Sequence, residues 1–346
     1  MASAEPFNRS MATPGRAAKV RIRPLEEREL AEADRIVRVA FGTFVGAPDP
    51  ARFMGDADYA RTRWKADPSA ALAAEDEGKL VGTNFASNWS SFGFFGPLTI
   101  EPSYWDRGVA QQLLGPTMEI FRRWGNRHLG LFTFSNSPKH LALYQKFGFW
   151  PRDLVAIMSK PVAAAGGADS SSSAAGEMGR DLHGAPALFS HAGAESWATL
   201  LPACREVTSA NFEGLDVGRE IRSVAGQKLG DTVLLWHGSK LRGLAVCHSG
   251  PGTEAGSGVC YVKFAAVEPG ARAGADFLRL VDAIESFARS AGAQRITAGV
   301  NLARRGAFGA LFERGFRTER QGVAMESGDA SAGYNRAGIY ILDDWR

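Results

Sequence analysis

Five consecutive residues, Asp106-Arg107-Gly108-Val109-Ala110, have the types and spacing to hold an anion. They open a helix directly after a strand. A helix start leaves backbone N–H groups unpaired and carries the positive end of the helix dipole, so it attracts negative charge. Gly108 and Ala110 have almost no side chain, so a diphosphate could approach that backbone closely. Arg107 could add a charge-assisted contact. The plainer alternative is an ordinary helix N-terminus with Asp106 as its cap. Other reactive groups are sparse. Cys204, Cys247 and Cys260 stand far apart, with no CxxC pair and no Cys/His ligand spacing, so neither a disulfide framework nor a metal site is expected. Buried thiols in a reducing cytoplasm are the expectation.

The chain of 346 residues has room for two domains of ordinary size. A formal net charge of +3 and the lack of any Lys/Arg run give no reason to expect a nucleic-acid or anionic-membrane partner. No apolar run is long enough to span a bilayer. Residues 1–18 are small and polar without the apolar core of a secretory signal, and are expected to be a disordered tail.

The elements that must position the anion-holding stretch follow from periodicity. Residues 19–24 alternate and predict a strand. Leu30, Ala33, Ile36, Val37, Ala40 and Phe41 define an amphipathic helix over 26–44, and 58–65 a shorter one. Residues 70–74 and 80–89 flank an acidic Gly-containing turn as a hairpin. A strand over 92–100 is interrupted by Gly96-Pro97, where the missing donor predicts a bulge. A helix over 106–124, a strand over 129–134, a helix over 138–147 and a strand over 154–158 complete the first half. Residues 161–185, rich in Ala, Gly and Ser, predict a flexible linker. The second half, 186–346, has helix-like spacing at 194–211 and 273–290, a hairpin at 232–247 and strands at 259–267 and 295–300. A short helix at 306–314 and a final strand at 339–342 follow.

The halves echo each other. Ile100-Glu101-Pro102 and Val267-Glu268-Pro269 mark the same point, and 46 residues separate that proline from a Gly-Phe pair in each half. Each interval holds a long helix, a strand and a short helix. Tandem copies of one α/β fold are the expectation.

In the first copy, Ile100, Pro102, Gly108 and Ala110, followed by Tyr144, Lys146, Gly148 and Phe149, resemble the GNAT superfamily, the Gcn5-related N-acetyltransferases, over about residues 19–160. The resemblance implies an acyl-CoA N-acyltransferase fold in two tandem GNAT-like copies: an acetyltransferase domain at 19–160 and a degenerate copy at 186–346. It implies that acetyl-CoA lies where two central parallel strands splay apart. The backbone of Leu98, Thr99 and Ile100 would pair with the pantetheine arm. The N–H groups of Arg107, Gly108, Val109, Ala110 and Gln111 would hold the pyrophosphate, beside Trp105. Asn136 or Ser137 would contact the arm. Tyr144 would be the general acid that protonates the departing thiolate, since a phenol of pKa near 10 is protonated at neutral pH. The acceptor would be an amine of unspecified class, and an oligomer remains open.

Departures temper the match. Trp105 stands where the family has Arg or Gln, and Asn136 is one position early, with Ser137 in the usual place. No carboxylate in residues 89–95 offers a general base, so an amine would lose its proton through water or an unidentified group. His140 on the short helix is a candidate for that group, but a surface role is the expectation. Trp89, Phe92, Phe94 and Phe95 line an acceptor pocket or pack the core. In the second copy Gly108, Ala110 and Tyr144 correspond to Ala275, Phe277 and Leu311. Phenylalanine crowds a phosphate cradle and leucine has no proton to give. That copy is therefore expected to be non-catalytic: it completes the acceptor pocket, binds a ligand or holds the first domain. Besides an acetyltransferase, an acyl-CoA sensor without turnover and a tandem structural module without a cofactor fit these residues.

Overall fold

A computed structural model describes residues 19–163, 187–328 and 333–346. The expected tail at 1–18 and nearly all of the linker lie outside the described residues. The first half runs β1 (Arg21–Pro24), α1 (Leu30–Val45), α2 (Tyr59–Ala66), β2 (Ala71–Asp76), β3 (Lys79–Trp89), β4 (Phe92–Phe95), β5 (Thr99–Ile100), α3 (Val109–Trp124), β6 (His128–Thr133), α4 (Pro138–Gln145) and β7 (Trp150–Pro161). The second repeats the plan: β8 (Ala187–Leu188), α5 (Trp197–Asn211), α6 (Gly218–Gln227), β9 (Gly230–His237), β10 (Lys240–Gly250), β11 (Gly256–Val267), α7 (Ala273–Ser290), β12 (Arg295–Asn301), α8 (Arg305–Glu313) and β13 (Arg317–Ser327). A last short strand, β14 (Ile341–Leu342), follows.

The apolar stripes do what their spacing predicts. Leu30, Ala33, Ile36, Val37 and Ala40 of α1 are buried, and the helix stops at Gly46 in the left-handed region. Val109, Leu113, Leu114, Ile120 and Phe121 bury one face of α3 against the sheet. Cys204, Cys247 and Cys260 are all buried free thiols. The expected helix at 106–124 starts at Val109, because Asp106 and Gly108 both have positive φ (62° and 76°) and cannot continue it.

The sheet order reveals how the halves combine. All strands belong to one sheet, in the order β1-β2-β3-β4-β6-β13-β7-β12-β11-β10-β9-β8, with β5 on β3 and β14 on β11. Each half has given its last long strand to the other. β13 pairs with β6 and β7, and β7 pairs with β12 and β13. Both are central, which is why Val155, Ala156, Ile157 and Met158 are buried in succession rather than alternately. Gly322 permits the exchange: a Cβ there would lie 2.4 Å from the Phe132 ring and 2.5 Å from the Thr133 carbonyl.

The halves are also bonded through charge. Arg63 of α2 donates Nε and Nη2 to the two carboxylate oxygens of Glu254 at 2.9 and 3.0 Å. Lys263 on β11 donates to Glu254 at 2.7 Å and lies 3.0 Å from Glu220 on α6. All four are buried. Burial alone would raise the carboxyl pKa of Glu220, but Lys263 outweighs it and holds the group at about 2. Arg63 and Lys263 likewise hold Glu254 far below the usual carboxylate range against its desolvation. Both folded values lie below those of an unfolded chain. The stabilisation is therefore fully present above about pH 5 and is lost as pH falls towards 2. The expected result is an unfolding free energy that declines steadily from pH 5 downward, by on the order of 3 kcal/mol for Glu220 alone; urea titrations at successive pH values check it.

Candidate active site

β4 and β6 run parallel and in register only from Phe92↔His128 to Phe94↔Gly130. Beyond that point Gly96 and cis-Pro97 turn the chain away, and β5 pairs with β3 at Thr83↔Thr99 and Gly82↔Ile100. The two strands diverge, and a cleft of about 1390 Å³ opens between them. Arg63 fixes the divergence, since its Nη1 donates to the Gly96 carbonyl.

One wall is the segment Leu98-Thr99-Ile100. Trp105 also lines the cleft and donates its indole N–H to the Ile100 carbonyl at 2.8 Å, so it satisfies backbone instead of offering a donor to an anion. Next comes the start of α3. Its N-cap is Gly108, not Asp106, and no side chain caps it. Its backbone N–H groups are thus left for a partner in the cleft, which Gly108, Val109, Ala110 and Gln111 all line. A Cβ at Gly108 would meet nothing, but the left-handed φ of 76° favours glycine there. Asp106 instead pairs with Lys139 on α4, across the cleft mouth. Arg107 does not line the cleft; its guanidinium sits 4.5 Å above the Tyr104 ring.

α4 forms the opposite wall. Pro138 occupies its first turn, as expected. Ser137 caps the helix by accepting from His140 N–H at 3.5 Å and does not line the cleft, whereas Asn136 does. Tyr144 lines it near the helix end and is 7% exposed. Burial pushes its pKa well above 10, and the nearby Thr133 side chain opposes the rise without cancelling it, so the phenol stays protonated at any physiological pH. His140, expected at the surface, is half-buried beside the Phe44 and Phe134 rings, and burial lowers its pKa.

The remaining wall comes from residues that no motif singled out. Phe53, Met54 and Tyr59 reach in from the α1–α2 connection and α2. Gly256, Tyr261, Arg320 and Trp345 come from the second half. Of the aromatic cluster, only Phe95 reaches the cleft. Trp89, Phe92 and Phe94 pack into the shared core with Phe264 and Tyr334.

The equivalent divergence in the second half is filled by the chain itself. β11 and β12 are parallel from Val259↔Arg295 to Val262↔Ala298, and β14 then pairs with β11 at Ala265↔Leu342 and Ala266↔Ile341. The Tyr340 ring packs at a tilt against Phe277, with centroids 5.2 Å apart. Its hydroxyl lies 2.7 Å from where a Cβ on Gly306 would sit and 3.0 Å from one on Gly274. Leu311, the counterpart of Tyr144, is fully buried. Among the described residues, no group of three or more His, Cys, Asp or Glu could hold a metal ion, and no helix is long and apolar enough to cross a membrane.

Residues 38–149 match the model of the Acetyltransferase (GNAT) family, so the first half carries a GNAT-family domain. The fold extends over both halves. A Pyrococcus horikoshii protein assigned as an acetyltransferase superposes with a TM-score of 0.61 at 14% identity, over 93% of each chain. A GCN5-related N-acetyltransferase from Sphaerobacter thermophilus gives a TM-score of 0.53 at 13% identity, over 89% of this chain and 95% of the other. No curated protein matches the sequence.

Proposed function

We propose that the first half transfers an acetyl group from acetyl-CoA to an amine, with Tyr144 as general acid. One observation carries this reading. A buried phenol that stays protonated and a helix start without a side-chain cap face the same cleft. In the second half the phenol is replaced by Leu311 and the cleft is filled by Tyr340 and β14.

The backbone of Leu98, Thr99 and Ile100 would lie along the pantetheine arm, with Trp105 and Asn136 beside it. The N–H groups of Val109, Ala110 and Gln111 would take the pyrophosphate. Arg107 and Ser137 would act at one remove, by shaping the loop and capping α4. The amine nitrogen attacks the thioester carbonyl, the carbon–sulfur bond breaks, and Tyr144 gives its proton to the departing thiolate. Glu254 and Glu319 are the glutamates lining the cleft, and both already accept hydrogen bonds from cations or hydroxyls; His140 also lines it and burial favours its neutral form, so the amine loses its proton to water or to His140.

Release of the CoA thiol across a panel of amines tests the reading. Amine-dependent release supports it. Binding of acetyl-CoA without release for any amine would contradict it and favour a non-catalytic acyl-CoA-binding protein.

A further inference from the structure

One guanidinium in the cleft, that of Arg320, makes no hydrogen bond or contact ion pair among the described residues, and Glu319 and Asp344 act on it only at longer range. Each acid near it is engaged. Asp56 accepts from the Ser257 N–H at 2.7 Å and from its hydroxyl at 2.5 Å. Glu319 accepts from Ser159 at 2.5 Å and Arg295 at 3.2 Å. Asp344 is paired with Arg346 at 3.0 Å and accepts from Tyr261 at 2.8 Å. Glu254 is held by Arg63 and Lys263. Arg320, at a bulge in β13, lines the cleft and has no hydrogen-bond or ion-pair partner among the described residues. Its residue is open to the cleft, while the surrounding protein and the positive charge of Arg346 disfavour its own charge.

The position suits an acceptor more than a cofactor. Arg320 is three residues from Val323, which pairs with Thr133, whose side chain lies close enough to Tyr144 to lower its pKa. At about 3.3 Å per residue, that places the Arg320 backbone roughly 10 Å along the strand from the level of the general acid. The α3 N-terminus and Lys139 border another part of the same cleft. A guanidinium presents a planar fork of donors that matches a carboxylate.

Resting on the acetyl-transfer reading above, we propose that the acceptor is an amine that also carries a carboxylate, and that Arg320 is the specificity-determining residue that pairs with it. The second half then contributes to substrate selection through the strand it has exchanged.

The test uses amino acids whose amine and carboxylate are one to five methylenes apart, their amides, and phosphoethanolamine. N-acetylglycine and its amide are also titrated in the presence of CoA, which reads the site without turnover. The wild-type protein is expected to prefer at least one acid over its amide by tenfold or more in kcat/KM, and to bind N-acetylglycine at least tenfold tighter than the amide. Arg320→Gln should reduce both preferences to within about twofold, Arg320→Lys should restore part of them, and the KM for acetyl-CoA should not move in either. Equal use of acids and amides, stronger use of phosphoethanolamine, equal or undetectable binding of the two products, or an effect of Arg320→Gln confined to acetyl-CoA would each overturn the proposal. Failure of every amine to release thiol would count against acetyl transfer itself, and the product titration would still decide whether the site reads a carboxylate.

Discussion

Tyr144→Phe is expected to lower kcat for acetyl transfer by about 10²–10³-fold, the size of a lost general acid, while the KM for acetyl-CoA stays within about threefold. The substitution removes one oxygen from a side chain that is otherwise packed, its ring 5.8 Å from Phe95, so the fold has little reason to respond. The pH profile provides a second readout. Burial raises the Tyr144 pKa above its usual 10, so its proton is present throughout the neutral and mildly alkaline range. Activity of the parent protein should therefore not fall through deprotonation of Tyr144 below about pH 10. Steady-state kinetics of the two proteins at pH 7 and across pH 6–10 provide the check. An unchanged kcat in the Phe variant would remove the role assigned to this residue.

Glu254→Ala should be the most damaging single substitution for stability, at about 3–5 kcal/mol. The side chain is fully enclosed and accepts from both Arg63 and Lys263. Its removal leaves Arg63 buried without its carboxylate and Lys263 with Glu220 as its remaining partner. The cost arises chiefly from the stranded charge, because breaking a buried pair is far worse than never having built one. Arg63 also holds the Gly96 carbonyl at the strand divergence and donates to the main-chain oxygen of Arg346, so the cleft should loosen along with the fold. Urea unfolding measures the first effect. A loss below about 1 kcal/mol would mean that water or a neighbouring acid replaces Glu254, and that the network does not join the halves as described.

Much of the first cleft was legible in the residues. The strands and helices up to β6 and the place of Tyr144 on the short helix followed from periodicity and the family resemblance, because each depends on contacts close in sequence, although α3 starts at Val109 and not at Asp106. The shared sheet was not legible. β13 begins Arg317-Thr318-Glu319-Arg320-Gln321, which are exposed or face the cleft, and only Gly322 onward is buried, so neither strand alternation nor an apolar run marks it. α6 was missed for the opposite reason: its short amphipathic stripe of Ile221 and Val224 is interrupted by a buried glutamate, Glu220, whose partner Lys263 lies far along the chain. Phe277 and Leu311 gave the expectation of a degenerate copy. What fills it was not, because Tyr340 and β14 come from a stretch outside the repeated interval. Asp106 as a cap was the reasonable local reading. Its pairing with Lys139 depends on α4 packing across the cleft, which no local signal specifies.

The central claim is that the protein has one cofactor cleft, in the first half, and that its second half closes its own cleft and helps to wall the first. A crystal structure of the protein with CoA tests it most directly. The expected result is one CoA per chain, with the pantetheine arm along Leu98, Thr99 and Ile100, the pyrophosphate at the N–H groups of Val109, Ala110 and Gln111, and Tyr340 and β14 still in place. CoA bound between β11 and β12 with β14 displaced, or CoA at the first cleft with its thiol directed away from Tyr144, would contradict it.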